Sequence, residues 1–341
     1  MLFGSLIASG HSNNSVFHEE DPISHFEPTH APRMLRLAFL RRGVSLNTPD
    51  VLIPGVPLFE IYWEAQPLLK TDLPKFLIAT ENPFLNPLNQ DRVYLANFKA
   101  VFGWDSEILD LPNAVQIAIP HELKSNEFRP WSDRPKFTGM INSNKWQRPE
   151  SGNDLYEERL KIIRWYEKNY LDLFGLWGFG WSKPSPRHGG FAKLKRNVES
   201  IVVKLTKKPP FPSYRGKIID KGEILSKMKF CFCYENSSKL KNYITEKLLD
   251  SMVWGCIPVY KGAPNVTDYV PLNTFIDARR FDSLDDLHKF LSLISEKKFC
   301  EIQTNIRRFL ISDKADIFRA TKVAELVAST VISRIPNSIR Q

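Results

Sequence analysis

Apolar positions along this 341-residue chain fall into short strand-like runs separated by helical stripes. The opening MLFGSLIAS is one such run. VPLFEIYW, centred on Pro57–Tyr62, and KFLIATEN, with Lys75–Ala79, are two more, each followed by polar or turn residues. Between the opening run and these two, MLRLAFLRRG spaces Leu35, Phe39 and Leu40 like one face of a helix that Gly43 stops. This β–α–β rhythm predicts a parallel sheet with flanking helices up to about residue 125. The stretch Pro120 to Pro135 (PHELKSNEFRPWSDRP) has no period and reads as a linker.

Beyond it the pattern resumes. KFTGMI reads as a strand, and a helix starting near Asn153 or Asp154 carries Tyr156, Leu160, Ile163, Tyr166 and Tyr170 on one face. The loop clusters SKPSPRHGG and KKPPFPS follow. Residues 228–298 then read strand (KFCFCY), polar loop (ENSSKLKN), helix (YITEKLLDSMVWG), strand (CIPVY), turn, strand (TFIDA) and helix. Ile244, Leu248, Leu249, Met252 and Val253 line the first of these helices and Gly255 sits at its stop; Ser283, three residues before Asp286, opens the second with a capping-box spacing. A last helix points Phe318, Ala320, Val323, Val327 and Val331 inward and ends before Pro336. The expected architecture is α/β, with two Rossmann-like, doubly wound domains facing across a cleft. Residues 1–130 form the first and 131–315 the second, and helix 316–334 packs back on the first. Ligands of such sheets sit beyond the carboxyl ends of the strands.

Composition narrows the chemistry. With 43% hydrophobic and 12% aromatic residues, the chain is not a disordered or collagen-like one. Lys and Arg number 47 against 38 Asp and Glu, and the net charge of +9 suits an acidic partner without choosing one. The basic residues are interspersed with acids and no nucleic-acid-binding motif is present, which disfavours a polyanion or nucleic-acid partner. Cys231, Cys233, Cys256 and Cys300 contain no C-x-x-C pair and are expected to be reduced thiols. No apolar run approaches the roughly 20 residues that span a bilayer, and the first residues lack a charged leader region, so the cytoplasm is the expected compartment. The phosphate-loop, G-x-G-x-x-G, H-E-x-x-H and G-x-S-x-G signatures are absent. So is a D-x-D pair for a diphosphate-bound metal, which leaves side-chain cations and backbone amides to neutralise any phosphate.

Three charged residues stand at places where charge needs a reason. Lys247 lies in the first turns of a helix, where the dipole is positive; it either adds to an anion site or is an exposed lysine screened by Glu246. Arg159 sits at the edge of the apolar stripe of its helix and must snorkel or meet an anion. Glu81 directly follows KFLIAT and precedes Asn82-Pro83, which puts a carboxylate at a strand's carboxyl end, either as a base for a hydroxyl nucleophile or as a solvated turn residue. Asn236 and Tyr243, beside Lys247, are equally suited to contacting a ribose, base or sugar and to capping or packing.

The run KFCFCYENSSKLKNYITEKLLDSMVWGCIPVYKGAPNV, continued by DYVPLNTFID and FDSLDDL, resembles the donor-binding signature of the α1,3/α1,4-fucosyltransferases of glycosyltransferase family 10. Weaker similarity through NSNK, LYEERLKIIRWYEKN and TENP extends over most of the chain. The resemblance implies a GT-B fold, GDP-L-fucose as donor and inversion by single displacement. It places the family's base on Glu81, its phosphate-binding arginine on Arg159 and its Y-x-T-E-K residues on Tyr243, Glu246 and Lys247. Glu246 would bind the ribose, Lys247 and Arg159 the diphosphate, and Asn236 would line the donor site. It further implies no required cofactor, with a divalent ion at most a stimulant. The acceptor would be an oligosaccharide or glycolipid, a GlcNAc or Glc of a glycan or lipopolysaccharide, linked α1,3 or α1,4. With no Golgi-type anchor or stem, the soluble bacterial type is expected. A transferase or non-catalytic binder for another GDP-sugar is the nearer alternative. Arg319, Lys322 and Arg334 on the last helix suit a weak peripheral contact with the inner face of a membrane, although packing across the two domains accounts for that helix better.

Overall fold

The structure is a computed structural model that describes residues 2–18, 29–124, 126–147, 154–186, 190–206, 209–218 and 220–336. Asn153 and parts of the SKPSPRHGG and KKPPFPS clusters lie outside the described residues. The strands are β1 (Leu2–Ala8), β2 (Val44–Asn47), β3 (Glu60–Trp63), β4 (Lys75–Ala79), β5 (Ala100–Gly103), β6 (Ala114–Gln116), β7 (Lys136–Ile141), β8 (Phe174–Trp177), β9 (Tyr214–Gly216), β10 (Met228–Tyr234), β11 (Ile257–Lys261) and β12 (Ile276–Asp277). The helices are α1 (His30–Leu40), α2 (Arg92–Leu95), α3 (Ser106–Leu109), α4 (Leu155–Asn169), α5 (Gly190–Thr206), α6 (Lys221–Leu225), α7 (Glu246–Val253), α8 (Val266–Tyr269), α9 (Leu284–Ser292), α10 (Glu296–Leu310) and α11 (Ala320–Arg334).

Two compact units result. The first comprises residues 1–123, 241–243 and 313–341, the second 124–240 and 244–312. Residues 124–130 therefore belong to the second unit. Asn126 Nδ2 donates to Val253 O at 3.2 Å and the Arg129 carbonyl accepts from Arg134, so the segment read as a linker is tied down.

The first unit holds a six-stranded sheet in the order β2-β1-β3-β4-β5-β6, parallel throughout. Period-2 alternation sorts its side chains between two cores. Ile61, Phe76, Ile78 and Phe102 face α1 and α11, while Tyr62, Leu77, Ala79 and Val101 pack on Leu95, Phe98 and Ile108. On α1 the inward positions are Leu35, Ala38 and Phe39; Leu40, one residue round the helix from Phe39, is 59% exposed and leaves the expected stripe. On α11 the small residues Val323, Ala324, Val327, Ala328 and Val331 join the core with α1. The basic residues of this terminal segment are engaged locally. Arg319 and Lys322 pair with Asp316 at 2.9 and 3.2 Å, and Arg334 donates to Lys99 O at 2.6 Å.

The second unit holds another parallel sheet, β12-β11-β10-β7-β8-β9. Numbered within the unit this is the order 3-2-1-4-5-6, with the reversal between β7 and β10. Helix α4 buries Tyr156, Ile162, Ile163 and Tyr166; Tyr170 lies past its end and stacks on His288 at 3.9 Å. Leu160 is only partly buried. Helix α7 ends in a Schellman motif, with Cys256 N donating to Ser251 O and Gly255 N to Met252 O, both at 2.9 Å. Gly255 has φ +65°, and a Cβ there would lie 2.4 Å from the Phe128 ring. The four cysteines are free thiols, three of them buried.

A buried cation holds this unit together. Arg134, 1% exposed, donates to Arg129 O (3.0 Å), Leu225 O (3.0 Å), Met228 O (2.7 Å) and Trp254 O (2.9 Å), tying β7's approach to the ends of α6 and α7 and the start of β10. Arg134→Met leaves those carbonyls without a donor and is expected to cost about 3–5 kcal/mol. Urea unfolding monitored by tryptophan fluorescence will show that loss, and Arg134→Lys, lacking the planar fork, will recover less than half of it.

Candidate active site

Strand β10 delivers its next residue, Glu235, into the interior at the point where the strand order reverses. The carboxylate is fully buried, with 0% of its side chain exposed. Both oxygens hold Thr245, one accepting its N–H and the other its hydroxyl, each at 2.8 Å. Thr245 is the N-cap of α7 and its Oγ1 accepts the Lys247 N–H at 3.4 Å. Lys247 Nζ then lies 3.0 Å from Thr245 Oγ1, 3.4 Å from Glu235 and 3.3 Å from Glu246. Lys247 keeps 18% of its side chain in solvent, so the ammonium is pinned rather than sealed.

The two carboxylates beside it titrate in opposite directions. Burial pushes Glu235 above the ordinary range, only partly offset by Lys247 and the Thr245 hydrogen bonds. Burial pulls Glu246 the same way, but Lys247 and Lys221 outweigh it and carry the carboxyl down to about 2. Lys221 itself is paired with Asp250. Glu246 thus carries full charge at neutral pH.

The loop between β10 and α7 is stitched to the start of α4. Asp154 accepts from Ser238 N at 3.0 Å and Ser238 Oγ at 2.5 Å, and Leu155 N donates to Asn236 O at 3.2 Å. Arg159 does not snorkel. It is 4% exposed, lies 4.7 Å over the Tyr156 ring and donates to Tyr234 O (2.8 Å), Glu235 O (2.5 Å) and Asn236 Oδ1 (2.9 Å). The structure therefore brings Arg159 and Asn236 together, and Glu246 and Lys247 together. Arg159 acts first on the loop's own oxygens.

Glu81 stands in the first unit, immediately past β4, with its side chain exposed. Its Oε1 accepts the Asn82 N–H at 2.8 Å. Around it are residues with no sequence signal of their own. Glu64, just past β3, adopts φ +67° and accepts at Oε1 from Thr80 N (2.9 Å), the Thr80 hydroxyl and Glu81 N (3.0 Å). Its Oε2 accepts from Asn89 Nδ2 at 3.2 Å. Trp104 Nε1 donates to Thr80 O at 2.8 Å, and Asn89 Nδ2 to Glu81 O at 3.0 Å. Tyr243 packs within this same unit, its buried ring 4.9 Å from that of Trp104, while Asn242 Nδ2 donates to Trp104 O at 2.9 Å. Sequence reasoning missed Glu235, Thr245 and Glu64; the first two sit inside the quoted motif, whereas nothing in the local pattern around Glu64 marks it.

Comparison with known proteins adds the following. Residues 187–301 match the model of the glycosyltransferase family 10 (fucosyltransferase) C-terminal region, a segment that contains Glu235, Asn236, Tyr243, Glu246 and Lys247. An α-(1,4)-fucosyltransferase of Arabidopsis thaliana is 35% identical over 72 residues, which is 21% of this chain and 18% of that protein. Among solved structures, an α-glucosyltransferase in complex with UDP superposes with TM-score 0.56 at 12% identity, covering 98% of this chain and 100% of that one. An α1,3-fucosyltransferase superposes with TM-score 0.51 at 12% identity, covering 99% and 92%. At such identities the structures report the fold, which is that of GT-B glycosyltransferases. Among the described residues no helix is long and apolar enough to cross a membrane, and no cluster of three or more His, Cys, Asp or Glu is placed to hold a metal ion.

The raised Glu235 carboxyl binds its proton more tightly folded than unfolded. Its contribution to stability is therefore full below about pH 4.3 and is lost as pH climbs through the higher folded value. In a series of melting curves at rising pH, the wild-type minus Glu235→Gln difference is expected to fall steadily over that window. A flat difference would contradict an ionisable role for Glu235.

Proposed function

We propose that the chain, whose residues 187–301 carry the family 10 fucosyltransferase C-terminal domain, transfers L-fucose from GDP-L-fucose to a saccharide hydroxyl with inversion at the anomeric carbon. The observation that carries this reading is the Glu235–Thr245–Lys247 arrangement at the start of α7, inside the matched segment. A capped helix start with an adjacent fixed ammonium is a site for an anion such as a diphosphate.

In this reading Lys247 and the α7 amides meet the charge that grows on the diphosphate as its bond to fucose C1 breaks. Arg159 adds its charge from beneath the 235–238 turn that it shapes, and Asn236 sets the wall of that turn. Glu246, held ionised, accepts hydrogen bonds from the ribose hydroxyls. Tyr243, packed on Trp104, fixes the chain just ahead of the N-cap. The acceptor oxygen attacks C1 as its proton passes to Glu81, and the bonding pair of the broken C1–O bond leaves with GDP. Fixed cations and amides do the neutralising, so no metal ion is required. The acceptor in this reading is a GlcNAc or Glc of a glycan or lipopolysaccharide, linked α1,3 or α1,4. Another GDP-sugar is the competing donor, because it would present the same diphosphate to Lys247 and the start of α7.

Turnover of GDP-fucose against GDP-mannose, with a panel of N-acetyllactosamine-type acceptors, tests the donor: fucose is expected to be transferred and mannose not, and preference for mannose would overturn the reading. Lys247→Ala is expected to weaken GDP binding about 10- to 100-fold, the worth of a charge-assisted contact. Glu81→Gln is expected to leave GDP affinity within about twofold while lowering transfer by on the order of 10²-fold or more. Excess chelator should leave GDP capture in place, and its abolition would show that a metal takes part.

A further inference from the structure

Every backbone polar atom of Thr80 and Glu81 is held by a side chain. Glu64 accepts the N–H of Thr80 and the N–H of Glu81, Trp104 donates to the Thr80 carbonyl and Asn89 donates to the Glu81 carbonyl. Asn89 also donates to Glu64 Oε2, which closes the ring of contacts. A two-residue stretch past a strand normally satisfies such groups with water, since loops run at the surface. Here Glu64 from past β3, Trp104 from past β5 and Asn89 from further along the same connection converge on it, and the side chain they surround, Glu81, is the exposed one.

Glu64 bears two penalties in doing this. Its φ of +67° is a left-handed conformation that non-glycine residues seldom adopt. Its carboxylate is desolvated, and burial pushes its pKa up against four opposing hydrogen bonds. A residue selected only for stability would be Gly or Asn at this φ.

We propose that Glu64 is a positioning residue for the transfer reaction, which with Trp104 and Asn89 forms a cradle that fixes the direction in which Glu81 presents its carboxylate to the acceptor hydroxyl. The inference rests on Glu81 being the base. A base must lie within hydrogen-bond reach of the proton it takes, and a displacement of about 1 Å can reduce turnover on the order of 10²-fold.

The experiment compares Glu64→Gln, Glu64→Gly and Glu81→Gln in the full chain, measuring GDP release from GDP-fucose with water or the best screened saccharide as nucleophile, together with GDP affinity. Glu64→Gly relieves the left-handed strain but removes the acceptor, whereas Glu64→Gln keeps a side-chain oxygen there, so the pair separates strain from hydrogen bonding. Both Glu64 variants are expected to lower kcat tenfold or more while KM for GDP-fucose and the GDP Kd stay within about twofold, a split that general misfolding does not produce. Amide exchange adds a readout independent of turnover: the Thr80 and Glu81 N–H groups should exchange at least tenfold faster in Glu64→Gly. If Glu81→Gln is inactive while both Glu64 variants keep wild-type kcat, or if the two amides exchange as before, the cradle is refuted. If Glu81→Gln itself turns over normally, the base assignment falls, and this inference with it.

Discussion

The second unit is organised around one buried charge. Glu235, set at the end of β10 with no side-chain exposure, holds both polar groups of Thr245, and through that N-cap it determines where α7 begins and where Lys247 points. Burying an ionised carboxylate costs several kcal/mol and is offset only when its oxygens are fully hydrogen-bonded and a counter-charge is close. Thr245 and Lys247 offset part of that cost, and the carboxyl stays above its ordinary range. The ammonium is held between two carboxylates, which keeps a lysine at a helix start where the dipole disfavours it.

The same device recurs elsewhere with the opposite sign. Arg134 and Arg159 are buried guanidiniums whose partners are main-chain carbonyls at the ends of strands and helices. Parallel strands end abruptly at the carboxyl edge of the sheet, and the groups stranded there need partners if the loops beyond are to be rigid. In the first unit Glu64 does this with a carboxylate. Loops at the strand ends are thus shaped by long charged side chains reaching across from neighbouring elements, more than by turn residues of their own.

The amino-acid pattern foretold the sheets because parallel strands buried on both faces are continuous apolar runs; KFLIA and KFCFCY became β4 and β10. It foretold the helix around Lys247 because Gly255 and the apolar stripe agree, although the helix proper starts at Glu246 and Ile244 is buried ahead of it. It misjudged Leu40, since spacings of four and one cannot both face inward on a narrow stripe. The fate of Arg159 was not legible: a guanidinium at the margin of an apolar face snorkels unless acceptors await it, and those acceptors lie some seventy-five residues away, on β10. Glu64 and Trp104 escaped notice for the same reason, because their value lies in a meeting of separate loops.

Helix α11 fills the face of the first sheet that Ile61, Phe76 and Phe102 present, alongside α1. The strands it covers are all made by residue 116, but α11 begins at Ala320. At ribosomal speeds of about 5–20 residues per second, the apolar face of the earlier-made sheet waits roughly 10–40 s for its cover. Through that interval the part of that face not covered by α1 stays open, so the unit whose strands are synthesised first is the unit completed last.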